Sequence, residues 1–385
     1  MKEGVLFEIT RNTLDTGLRG VPVGYCVTSF VDPKTGLTYV GRPIAELVNR
    51  DPIELIYLLY FGKLGEKEQV AQFHRDLNAR AACKEETMQA IEALPTVGNP
   101  MDCFAAALLI AGMYEGTGDY REDCLNVIAK LPQLVACVIN THAKWGKTPD
   151  PKPELGYMEN FVHMLQIPNK TFLLTQAMRL FNLLHYDHSG GNLSTFVGKA
   201  VASGLEPMYG SLAASMAALA GARHGGANRD GLQFVMSVLD ELGETASAAD
   251  VEKLIRDRLA RKELVFGFGH AVLRIEDSRA SVCYDYCQKH FPSNPLVKIA
   301  LLLRSEGVKV LKENPKISDP YPNIDAISGT MLQAAGFHYP DYFTLLFGLS
   351  RCVGIAIQIV YERLEARGGK GTPIMRPSYL YKSRL

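Results

Sequence analysis

Three histidines, an aspartate and an arginine stand at glycine-flanked breaks between apolar stretches of the chain. They are His188 in HSGGN, His224 in ARHGGAN, His270 in GFGHAVLR, Asp325 in YPNID and Arg351 in GLSR. A polar side chain where a helix ends points into the cleft the helices leave, and glycine beside it lets a ligand approach the backbone. His224 precedes a predicted helix start, whose positive end disfavours imidazolium, so a neutral imidazole with one N–H to donate is expected. Such a donor suits the oxygen of an enolate as it forms. Asp325 has the chemistry of a base for a carbon acid, and equally the position of an N-cap for a helix near residue 327. His188 and His270 read as site residues or as loop histidines bonded to backbone. Arg351 lies in the apolar run 343–360 with no acidic residue at i±3 or i±4, so it needs an anion from elsewhere. With Arg279 and Arg376 it describes a pocket for a small anion with several carboxylates.

The elements that must hold these groups are helical. The 385 residues carry 41 Lys plus Arg against 41 Asp plus Glu, with 47% hydrophobic and 21% charged residues. That balance excludes a mainly disordered chain and argues against a dedicated nucleic-acid binder. Segments 24–31 and 37–40 around the turn DPKTG predict one small hairpin. Beyond it, apolar residues recur at helical spacing over 43–61, 66–82, 101–113, 121–142, 160–167, 169–186, 194–222, 231–242, 248–261, 278–290, 295–313, 327–335 and 341–367. Strand signals are too few for an alternating β/α sheet, so the fold is expected to be all-α with a short N-terminal β-hairpin. The two most apolar helices, 194–222 and 343–360, are expected inside a large bundle or under a subunit interface.

Acidic residues interrupt the first residues (MKEGVLFE), so no secretory signal is expected. The run 343–360 resembles a membrane span in length, but a central arginine is costly in hydrocarbon, and a core helix is expected instead. Eight dispersed cysteines, at 26, 83, 103, 124, 137, 283, 287 and 352, suggest reduced thiols in a cytoplasmic compartment. Cys283, Cys287 and His290 have helical spacing but lack an evident fourth ligand, so no metal site is expected there.

At the same breaks the sequence resembles the citrate synthase family, from about residue 16 to 377. The matching runs are DHSGGNLST (187–195), LAGARHGGAN (219–228), GFGHAVLRIEDSR (267–279), YPNIDAISG (321–329) and YFTLLFGLSR (342–351). NPMD (99–102) and GLRGVP (17–22) agree as well. The resemblance implies condensation of acetyl-CoA with oxaloacetate and water to citrate and CoA, through an enolate and a citryl-CoA intermediate. It implies Asp325 as the base, His224 as donor to the enolate oxygen and His270 as the group polarising the ketone. His188, Arg279 and Arg351 would hold the oxaloacetate carboxylates, with Arg376 contributed across the interface of a homodimer. CoA contacts are implied at Arg274, Val265, Gly267, Phe268, Gly269 and Asn323, with Arg19 and Lys316 as further candidates. No cofactor or metal is implied, acetyl-CoA being a co-substrate. The family's organisation implies a large helical domain of residues 1–224 and 332–385, holding the oxaloacetate site, and a small helical domain of 225–331 that binds CoA and closes over the cleft.

The sequence departs from the family pattern at several points. Arg223 and Ala222 stand where leucine and proline are usual, Phe266 replaces a proline, Val40 replaces an arginine, and EARGGKGT (365–372) lengthens the approach to Arg376. None of these removes a reacting group. The nearest alternative is 2-methylcitrate synthase, acting on propionyl-CoA with the same residues; one methylene is worth only about 1–3 kcal/mol of discrimination. A metal-dependent hydrolase using His185, Asp187 and His188, or a catalytically inactive helical binding protein, are the readings from other classes.

Overall fold

The helical spacing of apolar residues becomes sixteen α-helices in the computed structural model, which describes residues 5–384. Residues 1–4, on which the signal-peptide reading partly rests, and residue 385 lie outside the described residues. A 3-10 helix at Arg11–Asp15 precedes a small antiparallel sheet of β1 (Ser29–Asp32), β2 (Gly36–Tyr39) and β3 (Arg42–Pro43), in that order. The hairpin is shorter than expected at its first strand, and the third strand was not anticipated. Helices α1 (Ile44–Leu47), α2 (Pro52–Phe61), α3 (Lys67–Arg80), α4 (Glu85–Glu92) and α5 (Pro100–Glu115) follow. Then come α6 (Tyr120–Ala143), α7 (Tyr157–Met164), α8 (Phe172–Leu184), α9 (Leu193–Ser203), α10 (Met208–Leu219) and α11 (Ala227–Leu242). The series ends with α12 (Ala248–Ala260), α13 (Ser278–His290), α14 (Pro295–Lys312), α15 (Ser328–Ala334) and α16 (Phe343–Val360).

Two predicted helices are each a pair. The stretch 43–61 breaks before α2, where Asp51 caps the Ile53 N–H and Pro52 begins the helix. The stretch 194–222 breaks at 204–207, where Leu205 takes a left-handed φ of 69° and Pro207 removes a donor. Helix α4 was missed; five of its eight residues are charged or polar, and it buries only Thr87, Met88 and Ile91.

α16 is buried along its whole length and packs against α6, α8, α9 and α10. Each of its large apolar side chains contributes about 1.5–3 kcal/mol on burial, which offsets the cost of enclosing Arg351. α6 and the stretch 340–365 are apolar enough to cross a membrane, yet 83% and 89% of their most apolar windows lie inside the protein. The long run is therefore the core helix expected. Gly354 is where α16 touches the loop after α8: a Cβ there would stand 2.3 Å from the Tyr186 carbonyl oxygen. The loop carrying His188 is pressed directly against the core helix. On the other side, α11 packs against α14 and α15, α12 against α14, and α13 against α15.

Candidate active site

Three of the singled-out groups come from elements around α16. His188 sits in the loop between α8 and α9, and its backbone N–H donates to Asp187 Oδ1 at 2.8 Å. Its Nε2 is buried without a hydrogen-bond partner. Burial first, then Arg279 and Arg351, push its pKa well below the ordinary histidine value. His224 occupies the turn before α11. Its Nε2 accepts the Ser194 backbone N–H at 3.2 Å and lies 2.9 Å from Ser194 Oγ. A backbone amide donates only, so Nε2 must be the acceptor nitrogen and Nδ1 must carry the proton. The His224 pKa falls to about 4, through burial first and Arg351 second. The neutral state expected from the sequence is present, but enclosure rather than the α11 dipole causes it.

Arg351 is 2% exposed. Its Nε donates to the His185 carbonyl oxygen at 3.1 Å, and its guanidinium stands 4.7 Å from the centre of the Phe347 ring, one turn earlier on α16. Among the described residues it forms no ion pair; Asp187 is the carboxylate whose charge acts on it. Burial lowers its pKa to about 10, so it remains a cation at neutral pH.

The other three come from the loops beside α13 and α15. His270 Nδ1 accepts two backbone N–H groups, from Val272 and Leu273, each at 3.0 Å. The proton therefore sits on Nε2, which is left as a donor. Burial and then Arg279 lower its pKa. Arg279, at the start of α13, forms a bidentate pair with Asp277, at 3.0 Å from Nε and 2.7 Å from Nη2. Burial opposes the charge on both, but the pairing wins: the Asp277 carboxyl is held below its usual range and the guanidinium is strengthened. Asp325 lies in a single 3-10 turn, Ile324–Ala326, rather than at the cap of α15. Burial raises its pKa to about 6, against the opposing pull of Arg279.

Backbone contacts sew the segments carrying His270 and Asp325 together. Gly269 N–H donates to Tyr321 O at 3.0 Å, Asn323 N–H to Gly267 O at 2.8 Å, and Asn323 Nδ2 to Gly269 O at 2.8 Å. Asn323 Oδ1 accepts the Asp325 N–H at 2.9 Å, so both ends of this amide are used within the chain. Gly267 has φ +81°, and a Cβ on it would stand 2.7 Å from the Cα of Ala326, the residue after Asp325. No other residue type fits there.

The two sets face each other. The rings of His188 and His270 are 5.4 Å apart, edge to face. The charge of Arg279 acts on His188, His270 and Asp325, and that of Arg351 on His188 and His224. His188, His224, His270, Arg279, Asp325 and Arg351 therefore border one cleft; His224 and Asp325 are not hydrogen-bonded to each other. Val265, Phe268 and Gly269 lie half-buried in the loop before His270. Arg274 is exposed, with Nη1 bonded to the carbonyls of His270 and Val272, both at 3.2 Å. Arg19, Lys316 and Arg376 are exposed, and none is brought to the cleft by a hydrogen bond or ion pair. The cluster His185, Asp187 and His188 does not converge as a ligand set: His185 Nδ1 bonds the Phe181 carbonyl, and Asp187 receives Thr28 Oγ1, Gln358 Nε2 and the His188 N–H.

Sequence reasoning missed four supporting groups. Ser194 sets the His224 tautomer through its backbone, which leaves no trace in residue type. Asp277 was legible as a carboxylate two positions before Arg279, and Phe347 as an aromatic at i−4 from Arg351. Gln358 holds Asp187 from two turns along α16.

The family model described as citrate synthase, C-terminal domain, matches residues 17–378. Citrate synthase 4, mitochondrial, of Arabidopsis thaliana is 34% identical over 93% of this chain and 80% of its own length. Citrate synthase, mitochondrial, of Citrus maxima is 33% identical over 97% of this chain and 83% of its own length. Among solved structures, citrate synthase from Thermotoga maritima superposes with a TM-score of 0.80, at 26% identity and 96% coverage of both chains. A family match spanning residues 17–378, together with relatives a third identical over nearly the whole chain, makes this protein a member of the citrate synthase family.

Proposed function

We propose that the cleft condenses acetyl-CoA with oxaloacetate and water to give citrate and CoA, with the roles distributed as follows. Asp325 removes a proton from the methyl carbon of the thioester. Its raised pKa makes it a stronger base than an ordinary carboxylate while leaving it mostly ionised at neutral pH. The enolate oxygen receives the Nδ1–H of His224, a donor fixed before the charge develops. The new carbanion attacks the ketone carbon of oxaloacetate, whose oxygen is polarised by the Nε2–H of His270. Arg351, Arg279 and His188 hold the oxaloacetate carboxylates, and the unpartnered Nε2 of His188 is a buried polar atom waiting for such a ligand. Hydrolysis of the citryl-CoA thioester then releases both products.

The observation that carries this reading is the pair of locked tautomers. Burial keeps His224 and His270 neutral and backbone N–H groups choose the accepting nitrogen, leaving each with a single N–H to donate. The names of the two relatives above favour the acetyl donor over propionyl-CoA. In the same proposal, residues 225–331 act as the closing unit over CoA, Arg376 of the partner subunit completes the oxaloacetate site in a homodimer, and Arg274, Arg19 and Lys316 meet the CoA phosphates. The protein acts in the cytoplasm, as its dispersed free cysteines suggest. Measuring released CoA with oxaloacetate and either acyl donor tests the reaction: higher kcat/KM for acetyl-CoA is expected, and a clear propionyl preference overturns the choice of substrate.

A further inference from the structure

Behind the His188 loop lies a cavity of about 330 Å³. Its wall includes Tyr25, Cys26, Phe30, Phe196, Lys199 and Glu362 with the backbone of 189–191, and none of the three reacting groups. Most of the wall is apolar or aromatic. Its polar end is an ion pair, Lys199 Nζ to Glu362 Oε1 at 3.0 Å, with side chains only 6% and 4% exposed.

The two partners are unequally satisfied. Lys199 has three N–H groups and three acceptors: Glu362 Oε1, Gln358 Oε1 at 3.1 Å and the Tyr25 carbonyl at 3.4 Å. Glu362 Oε2 is buried and accepts nothing. A carboxylate oxygen removed from water without a donor is costly, so the cavity lacks a donor and not an anion.

We infer that this cavity binds a small organic cation, a primary ammonium or guanidinium on a short apolar stem. The head donates to Glu362 Oε2, and the stem lies against Tyr25, Phe30 and Phe196, whose rings favour a nearby cation. The volume is at the lower end of small-molecule sites, roughly 300–1,000 Å³.

Occupancy reaches the catalytic loop through named bonds. Gln358 accepts from Lys199 and donates to Asp187 Oδ1 at 2.8 Å, and the same oxygen accepts the His188 N–H at 2.8 Å. A cation on Glu362 competes with Lys199, loosens this chain and weakens oxaloacetate binding. The kinetic part rests on the function proposed above; the binding part does not.

The test is calorimetric titration of the full chain with n-butylguanidinium and phenethylammonium chlorides, with hexanoate as the anionic control and 1-hexanol as the uncharged-head control. Both cations are expected to bind saturably, one per chain, and to raise the KM for oxaloacetate about fivefold or more with little change for acetyl-CoA. Glu362→Gln is expected to weaken binding about tenfold, the loss of one charge-assisted hydrogen bond. Because that variant leaves Lys199 buried and unpaired, Val21→Phe is the second arm; it fills the cavity from its apolar wall, keeps the ion pair and is expected to abolish binding. The inference fails if neither cation saturates, if the controls bind as well, or if Val21→Phe leaves binding intact. It also fails if cations bind only when the protein is diluted to single chains, since a second copy is then the natural occupant. Binding without any change in KM rejects the link to His188.

Discussion

The two sides of the cleft solve the same problem differently. On the α16 side, Arg351 is enclosed with a carbonyl oxygen and an aromatic ring for company, and no carboxylate within ion-pair distance. On the α13 side, Arg279 is equally buried but doubly bonded to Asp277. Each side also carries one histidine whose tautomer is set by backbone N–H groups. The α16 side therefore presents uncompensated positive charge, suited to a carboxylate substrate. The α13 side presents a neutralised cation beside Asp325, the carboxylate proposed as the base. Charge that must be met by the ligand and charge already met by the protein are separated across a few ångströms.

Separating the two histidines kinetically is the largest test of this division. His224→Asn and His270→Asn are each expected to lower kcat about 10³-fold, within the usual range for a positioned acid–base or donor group. The exchange of acetyl-CoA methyl protons into D2O, with a non-condensing oxaloacetate analogue such as malate bound, then tells them apart. Exchange is expected to persist in His270→Asn and to vanish in His224→Asn and Asp325→Ala. Equal loss in all three means the enolate donor is not confined to one side.

The arginines give the next effect. Removing either should raise the KM for oxaloacetate about 10²-fold, the worth of a strong charge-assisted contact. Stability should diverge. Arg279→Met leaves the Asp277 carboxylate buried and unpaired, a loss of about 3–5 kcal/mol seen as a lower urea midpoint. Arg351→Met removes a cation that burial already disfavours, so its midpoint should stay or rise. Matching losses in the two variants would erase the contrast between the two arginines.

What was legible in the sequence follows the same line. Residue types at helix breaks announced His188, His224, His270, Asp325 and Arg351, because glycine-flanked polar residues between apolar helices have few structural uses. The missing acid partner of Arg351 was also legible, from the absence of Asp or Glu at i±3 and i±4. The backbone donors were not. Ser194 acts through an amide every residue has, and the 5.4 Å approach of His188 to His270 joins loops 82 residues apart in sequence. The breaks inside 43–61 and 194–222 were written as Asp-Pro and Gly-Leu-Glu-Pro, turn signals outweighed by the apolar residues on both sides. Helix α4 shows the converse, an amphipathic segment with too few apolar residues to stand out.

The pH profile sharpens the comparison further. With Asp325 titrating near 6 and His224 near 4, kcat/KM for acetyl-CoA should fall on the acid side with an apparent pKa of about 6. His224 should leave no mark above pH 5. The limb should stay in place in the residual activity of His224→Asn. A shift of the limb in that variant would assign it to the α16 side instead.

The smallest effect concerns stability and needs its sign worked out. The folded Asp325 holds its proton up to about pH 6, whereas its ordinary value is 3.8. Burial thus favours the protonated form, and the stability associated with that proton is complete below pH 4 and lost as pH rises through 6. At pH 7.5 the ionised carboxylate is a net cost of about 1–3 kcal/mol, since each pKa unit is worth about 1.4 kcal/mol and part of the site remains open to solvent. Asp325→Asn removes that cost while keeping the side-chain shape. The variant should therefore resist urea better than the parent at pH 7.5, with the advantage shrinking between pH 6 and 4. A variant less stable at pH 7.5 would mean that the carboxylate is held by favourable contacts rather than strained by enclosure, and the base would then sit on the wrong side of the charge division.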